Sequence, residues 1–264
     1  MNKELEERYL SVIEDNVNVG KTSDGKEFFV LIAGIVAICF AIYLSADLIA
    51  GVWIDHMSDT TQQKIEQTLS AGGCQNKNHI DNTNESIAFL ETVKPKIIAM
   101  DEKLQGKSDF QIHKDNSKEI NAYVSVDGTI HFTSGLLKEV TDKEALTFVL
   151  AHELAHYAHR DHLKTFGREL IAGALLTILT GGQSDSARVV SSLSEVNRST
   201  YSQNQERKAD LYANEVVLKL YGRNDGAVKF FKLLEKKQNI PEFFYYFSTH
   251  PSTKSRIDLL KQAR

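Results

Sequence analysis

Hydrophobic positions along this chain obey three different rules. From Phe28 to Ala46, FFVLIAGIVAICFAIYLSA, they run for nineteen residues without a charge, long enough to cross a bilayer core as a helix. After Asp47 the apolar character continues through Leu48, Ile49, Val52 and Trp53, and tryptophan suits a membrane–water interface. Phe110 to Lys114, Glu119 to Val126 and Thr129 to Thr133 alternate instead, the period of strands with one buried face. Asp127-Gly128 between the last two predicts a hairpin with a two-residue turn. Beyond residue 141 the period lengthens, and Ala145, Phe148, Val149, His152 and His156 share one helical face. Thr141 as N-cap with Glu144 three residues later reads as a capping box that starts this helix.

The remaining segments are plainer. Ser58 to Leu69 has the composition of a polar helix, and AGGCQNKNH after it reads as a loop. ESIAFLETVKPKIIAMDEKL follows as a helix bent or restarted near Pro95. The apolar run Leu170 to Thr180 has only eleven residues, which fits a core helix or a membrane-dipping surface better than a second span. The pattern therefore predicts an α+β, mostly helical fold with a small β-hairpin sheet and an N-terminal transmembrane helix. Its divisions are a polar tail at 1–27 with a short helix over Lys3 to Glu14, an anchor at 28–54, a juxtamembrane helix and linker at 55–84, and the main domain at 85–264.

Charge and cysteine content narrow the picture. The net charge is −4 with both signs interspersed, so no basic stripe points to nucleic acid. Cys39 and Cys74 make no disulfide framework. The apolar run follows 27 residues that include seven acidic ones, and no small-x-small cleavage site comes after it, which describes an uncleaved anchor rather than a signal peptide. Lys3, Arg8, Lys21 and Lys26 precede the span, and only Lys64 follows closely. That bias predicts a single-pass protein of the cell (inner) membrane, with the tail cytoplasmic and the domain at 85–264 on the outer or periplasmic side.

The chemistry concentrates in LAHELAHYAHRDH, residues 150 to 162, which holds four histidines. His152 and His156 are four apart and stack on one helical face, so both imidazoles can reach one ion. Zinc suits such nitrogens, and with three protein ligands it keeps a position for water. Glu153 stands where a general base would. For the third ligand, His162 matches the last histidine of H-E-x-x-H-x-x-G-x-x-H. That pattern requires glycine where His159 stands and a methionine turn downstream, yet Met1, Met57 and Met100 all lie upstream. Glu206 is the better candidate: Glu206 and Asp210 are again four apart on a predicted helix, so Asp210 can orient a ligand histidine. His159 and His162 then read as polar-face residues.

These residues carry a resemblance to the membrane-associated gluzincin peptidases, the family of the HtpX proteases and the CAAX prenyl endopeptidases. Four motifs match in order: Asn121-Ala122-Tyr123 with Gly135-Leu136-Leu137, His152 to His156, Glu206 with Ala209-Asp210, and THPSTKSRI from Thr249 to Ile257. The resemblance covers roughly residues 85 to 264. It implies a gluzincin-type domain holding one zinc per chain at His152, His156 and Glu206, with Glu153 as base and polypeptides as substrates, in particular unfolded or misassembled membrane and envelope proteins. It also implies that the Asn121 strand lies along the cleft, with Asn121 and Ala122 against the substrate backbone, and that His250 faces the substrate with Arg256 behind it. Unlike the multi-span members, this chain carries one membrane segment, which argues against an intramembrane chamber and prenylated substrates. Rival readings are an Asn121 that satisfies its own hairpin, a His250 that caps a helix beginning near Ser252 with Arg256 in a surface ion pair, and a non-catalytic tethered chaperone or scaffold that keeps zinc for stability.

Overall fold

The computed structural model describes residues 3, 5–8, 24–72, 84–107, 109–125, 127–179, 201–237, 250 and 254–262. The described elements are helices α1 (Asp24–Asp55), α2 (Asp59–Gly72) and α3 (Glu85–Ile98), strands β1 (Ile112–Asp115), β2 (Ala122–Val124) and β3 (Ile130–Thr133), then helices α4 (Ser134–Glu139), α5 (Lys143–Ala158), α6 (Asp161–Leu179), α7 (Gln203–Tyr221), α8 (Asp225–Lys237) and α9 (Lys254–Gln262). The expected fold class, mostly helical with a small sheet and an apolar N-terminal helix, is what the chain adopts. Of the expected tail helix, residues 3 and 5–8 are described and are helical, whereas the linker around Cys74 and residues 249 and 251–253 of THPSTKSRI lie outside the described residues.

Two compact units divide the chain, Met1–Ser45 and Ala46–Arg264. The first contains the one described stretch long and apolar enough to cross a membrane, Gly25–Ile42. Its Phe28, Phe29, Val30, Leu31 and Phe40 are more than half exposed.

In the second unit α5 is the axis. Every residue from Glu144 to Ala158 is buried, so this helix is enclosed on all sides rather than on the single face that its period predicts. A helix so placed must pair each polar group it carries. Thr147 bonds the Lys143 carbonyl and lies 2.8 Å from the Tyr221 hydroxyl. The capping residue is Asp142, one position later than expected: its carboxylate accepts from the N–H groups of Glu144 and Ala145. Glu144 is thereby released from the capping box, and its buried carboxylate accepts instead from Gly226 N–H and Arg223 Nε at the start of α8. The core joins α5 through Phe148 and Val149 to α3 through Ile87, Leu90, Val93 and Ile97, to the sheet through Ile112, Val124, Ile130 and Phe132, and to α8 through Phe230 and Phe231.

Helix α3 runs continuously through Pro95 and stops three residues later at Ile98, shorter than expected. The sheet has order β1-β3-β2, with β3 parallel to β1 and antiparallel to β2. The hairpin turn is longer than the predicted two residues. Ser125 N–H bonds the Thr129 carbonyl, Gly128 N–H bonds the Ser125 carbonyl, and Gly128 takes φ +83°, the left-handed conformation that closes a three-residue loop. Gly135, the second residue of α4, stands where any Cβ would collide with the carbonyl oxygens of Lys118 and Glu119. That contact explains why the Gly135-Leu136-Leu137 stretch begins with glycine. β2 stands at the sheet edge and packs beside α5, which sets the sheet against the helix that carries His152 and His156.

Candidate functional site

Three helices deliver the site. α5 supplies His152, Glu153 and His156; the first turn of α7 supplies Glu206, started by a capping box between Ser202 and Gln205. The third contributor is α9, with Arg256 on the helix and His250 just before it. The Nε2 atoms of His152 and His156 converge to 3.1 Å. Glu206 closes the group, Oε1 at 3.3 Å from His156 Nε2 and Oε2 at 3.5 Å from His152 Nε2. His250 Nδ1 joins at 3.0 Å from Glu206 Oε1 and 3.4 Å from His152 Nε2. One ligand atom from each of His152, His156, Glu206 and His250 falls within 4.8 Å of every other, and all four residues are buried.

Behind this group lies a layer of carboxylates that aims the imidazoles. His152 Nδ1 faces Asp210 Oδ1 at 3.1 Å, and His156 Nδ1 donates to Asp161 Oδ2 at 2.9 Å. With each Nδ1 so engaged, both Nε2 atoms are turned to the centre, the arrangement metal-binding histidines use. Arg256 locks the layer. Its Nε and Nη2 grip both Asp210 oxygens, and Nη1 reaches Glu206 Oε2 at 2.6 Å. The guanidinium also lies 4.9 Å from the centre of the Phe231 ring. Two inward rings, an adjacent carboxylate and filled outer positions fit a metal ion.

Ionisation follows the same contacts. Burial pushes the Glu206 carboxyl up, but the charges of His250 and Arg256 outweigh it and hold the group well below the usual carboxylate range. Asp210 is lowered likewise: burial opposes, while Arg256 and then His152 prevail. Burial lowers His152 against the pull of Asp210 and Glu206. For His156 burial is outweighed by hydrogen bonds to Asp161 and Glu206, and the imidazole rises to about 10. Glu153 is fully buried one position along α5, its Oε1 3.5 Å from His250 Nε2. Neither of its oxygens accepts a hydrogen bond among the described residues, so it points a carboxylate into the site without a committed partner.

Residues 90–264 match Peptidase family M48. This chain belongs to that family. A curated relative, the mitochondrial metalloendopeptidase OMA1 of Bos taurus, is 47% identical over 45 residues, or 17% of this chain. That match spans 9% of the relative's length.

Within the M48 region the structure brings together His152, Glu153, His156, Glu206, Asp210, His250 and Arg256. Asn121 just precedes β2, Ala122 begins it, and both are fully buried. The Asn121 backbone is bound to Thr133, donating to its Oγ1 at 3.0 Å and accepting from it at 2.8 Å. Arg256 is a buried ion-pair residue rather than a surface one, because two buried carboxylates require its charge. His162 is no polar-face residue either. It is 3% exposed, stacks on Tyr157 and turns its Nε2 to Glu66 at 3.2 Å, away from the metal cluster. His159 ends α5 as its C-cap.

Two members of the site have no counterpart in the motif reading. Asp161 follows His156 only after the chain has left α5 through a left-handed Arg160, so helical spacing does not connect them. Tyr201 lies flat on His156, ring centres 3.8 Å apart, and burial with the Glu153 charge pushes its phenol well above the ordinary value. The tyrosine-to-glutamate stretch 201–206 was the available signal.

Proposed function

We propose that this chain is a membrane-anchored zinc metalloendopeptidase. The observation that carries the reading is the convergence of His152, His156 and Glu206 beside a fully buried Glu153 that no hydrogen bond occupies. His152, His156 and Glu206 would hold the ion, with Asp210 and Asp161 fixing the two rings and Arg256 fixing Glu206 and Asp210. Zinc in that position supplies Lewis-acid polarisation of a peptide carbonyl and a water whose pKa falls to about 7. Glu153 takes the proton from the attacking water and passes it to the leaving amine. His250 donates to the oxyanion that develops on the carbonyl. The peptide lies extended beside the β2 edge, near Asn121 and Ala122, held by main-chain bonds.

The substrate class proposed is unfolded or misassembled membrane and envelope protein, with residues 28–54 as the bilayer anchor, 1–27 as a cytoplasmic tail, 55–84 as a connector, and 85–264 as the peptidase domain on the outer side. The metalloendopeptidase named among its relatives supports the reaction. A structural zinc site in a tethered scaffold has no use for Glu153, since such a site needs no base. The position of His250 Nδ1, 3.0 Å from Glu206 Oε1, favours one second reading: His250 as a fourth ligand in a resting form. The test is incubation of the detergent-solubilised protein with an unfolded model polypeptide, with and without chelator. Chelator-sensitive cleavage is expected, and cleavage that persists after complete metal removal would overturn the proposal.

A further inference from the structure

The turn between α5 and α6 joins two parts of the molecule that the chemistry above treats separately. Arg160 sits at its apex with φ +56°, one of two non-glycine residues at positive φ among those described. Its carbonyl accepts from Leu163 and Lys164, so it caps the start of α6. The side chain leaves in the other direction. Nη1 donates at 2.9 Å to both the Ile54 and Met57 carbonyls, and Nη2 reaches Asp59 Oδ1 at 2.7 Å. Ile54 lies in the last turn of α1 and Met57 two residues past its end, where a helix leaves acceptors without intrahelical partners, and a guanidinium there serves as a C-terminal cap. Lys164, one turn into α6, repeats the link by pairing with Asp55 at 2.7 Å. Gly167 continues it, with Ala50 and Ile54 packed against its backbone.

The residue bonded to Arg160 is Asp161, whose carboxylate holds His156 Nδ1. Most acidic residues in a helix's first turn face their own N-terminus; this one is turned back across the bend to a ring of the preceding helix. The left-handed conformation at Arg160 reverses the chain at this bend, and arginine has no intrinsic preference for it. What opposes relaxation is the three-point grip of the guanidinium on the end of α1 and on Asp59.

We propose that Arg160 is a positioning residue for the metal ligand His156, acting through the peptide it shares with Asp161 and anchored on the C-terminal end of α1. This rests on the metallopeptidase reading of the site. A gap opening between the end of α1 and the turn would swing Asp161 away and release the His156 ring. The state of the membrane-proximal helix end is in this way coupled to the geometry of the catalytic centre.

The test uses the full-length protein in detergent and compares Arg160→Gly, which accepts the positive φ and removes the guanidinium, with Lys164→Ala, which removes the neighbouring ion pair alone. Zinc affinity is measured by chelator competition, kcat and KM on an unfolded polypeptide, and the His156 ring tautomer by nitrogen-15 spectra at saturating zinc, where the ring is neutral. Arg160→Gly is expected to weaken zinc binding by about 10–100-fold, to lower kcat with KM nearly unchanged, and to lose the fixed Nδ1–H form of His156. Lys164→Ala is expected to lower the melting temperature while zinc affinity holds. If Arg160→Gly does not fold, Arg160→Lys carries the same test with a smaller expected loss. Wild-type zinc affinity and an unchanged His156 tautomer in the Arg160 variant overturn the proposal, as does an equal zinc loss in Lys164→Ala. His156→Ala separates the levels: zinc binding that survives it sinks the metallopeptidase reading and this inference together, whereas its loss alongside a normal Arg160→Gly sinks this inference alone.

Discussion

His250 Nε2 lies 3.5 Å from Glu153 Oε1, and the other nitrogen of the same ring lies 3.4 Å from His152 Nε2. The base and the donor proposed for the reaction therefore face each other over one small volume. Glu153→Gln keeps the shape of that volume and removes its proton acceptor. Zinc content and melting temperature should stay near wild type while hydrolysis falls by about 10²–10⁴-fold. A variant that still cleaves near the wild-type rate would exclude Glu153 as the base.

The role of His250 is read from which quantity its loss moves. As an oxyanion donor, His250→Phe lowers kcat by about 10²–10³-fold with KM and zinc affinity little changed. As a fourth ligand, the same change weakens zinc binding. Kinetics and metal titration on one preparation decide between them, and a variant normal in both would leave His250 a packing residue.

Glu206→Ala should abolish or greatly weaken zinc binding, whereas His162→Ala should leave it intact because His162 turns to Glu66. Asp210→Asn falls between, at about 10–100-fold. Zinc loss in the His162 variant and not in the Glu206 variant would contradict the assignment.

The pH dependence has a definite sign. His156 is raised to about 10 by Asp161 and Glu206 in spite of its burial. A raised imidazole stabilises the zinc-free fold below its ordinary pKa of about 6.5, and this contribution disappears as pH climbs through about 10. Zinc requires the neutral ring, so binding in that window expels the proton and affinity should rise with pH by about tenfold per unit. Chelator competition across the alkaline range measures the slope, and a flat profile would show that His156 carries no proton for zinc to displace.

For the anchor, protease added outside sealed spheroplasts should digest residues 55–264 and spare the tail at 1–27. Complete protection of the larger part would invert the proposed orientation.

How much of this was legible beforehand follows from the range of each interaction. His152, Glu153 and His156, and again Glu206 and Asp210, are related by one helical turn, and a regular helix converts that spacing directly into shared direction. The apolar period likewise placed α5, α3 and the strands. Contacts made through irregular backbone were not readable. Asp161 reaches His156 only through the bend at Arg160, and Tyr201 precedes its helix. The N-cap moved from Thr141 to Asp142 because α8 claims the Glu144 carboxylate, a tertiary partner that local spacing does not announce. His162 looked like surface for the same reason: its partner Glu66 lies 96 positions earlier in the chain.

The grip of Arg256 on Glu206 and Asp210 also has an order in time. A ribosome delivers the apolar helix first, the paired histidines next, the two carboxylates later, and the guanidinium that neutralises them after both. Until it arrives, burying those two charges costs several kcal/mol for each, so α7 has no reason to close on α5. In the nascent chain the candidate site therefore closes only once the segment carrying Arg256 has been made.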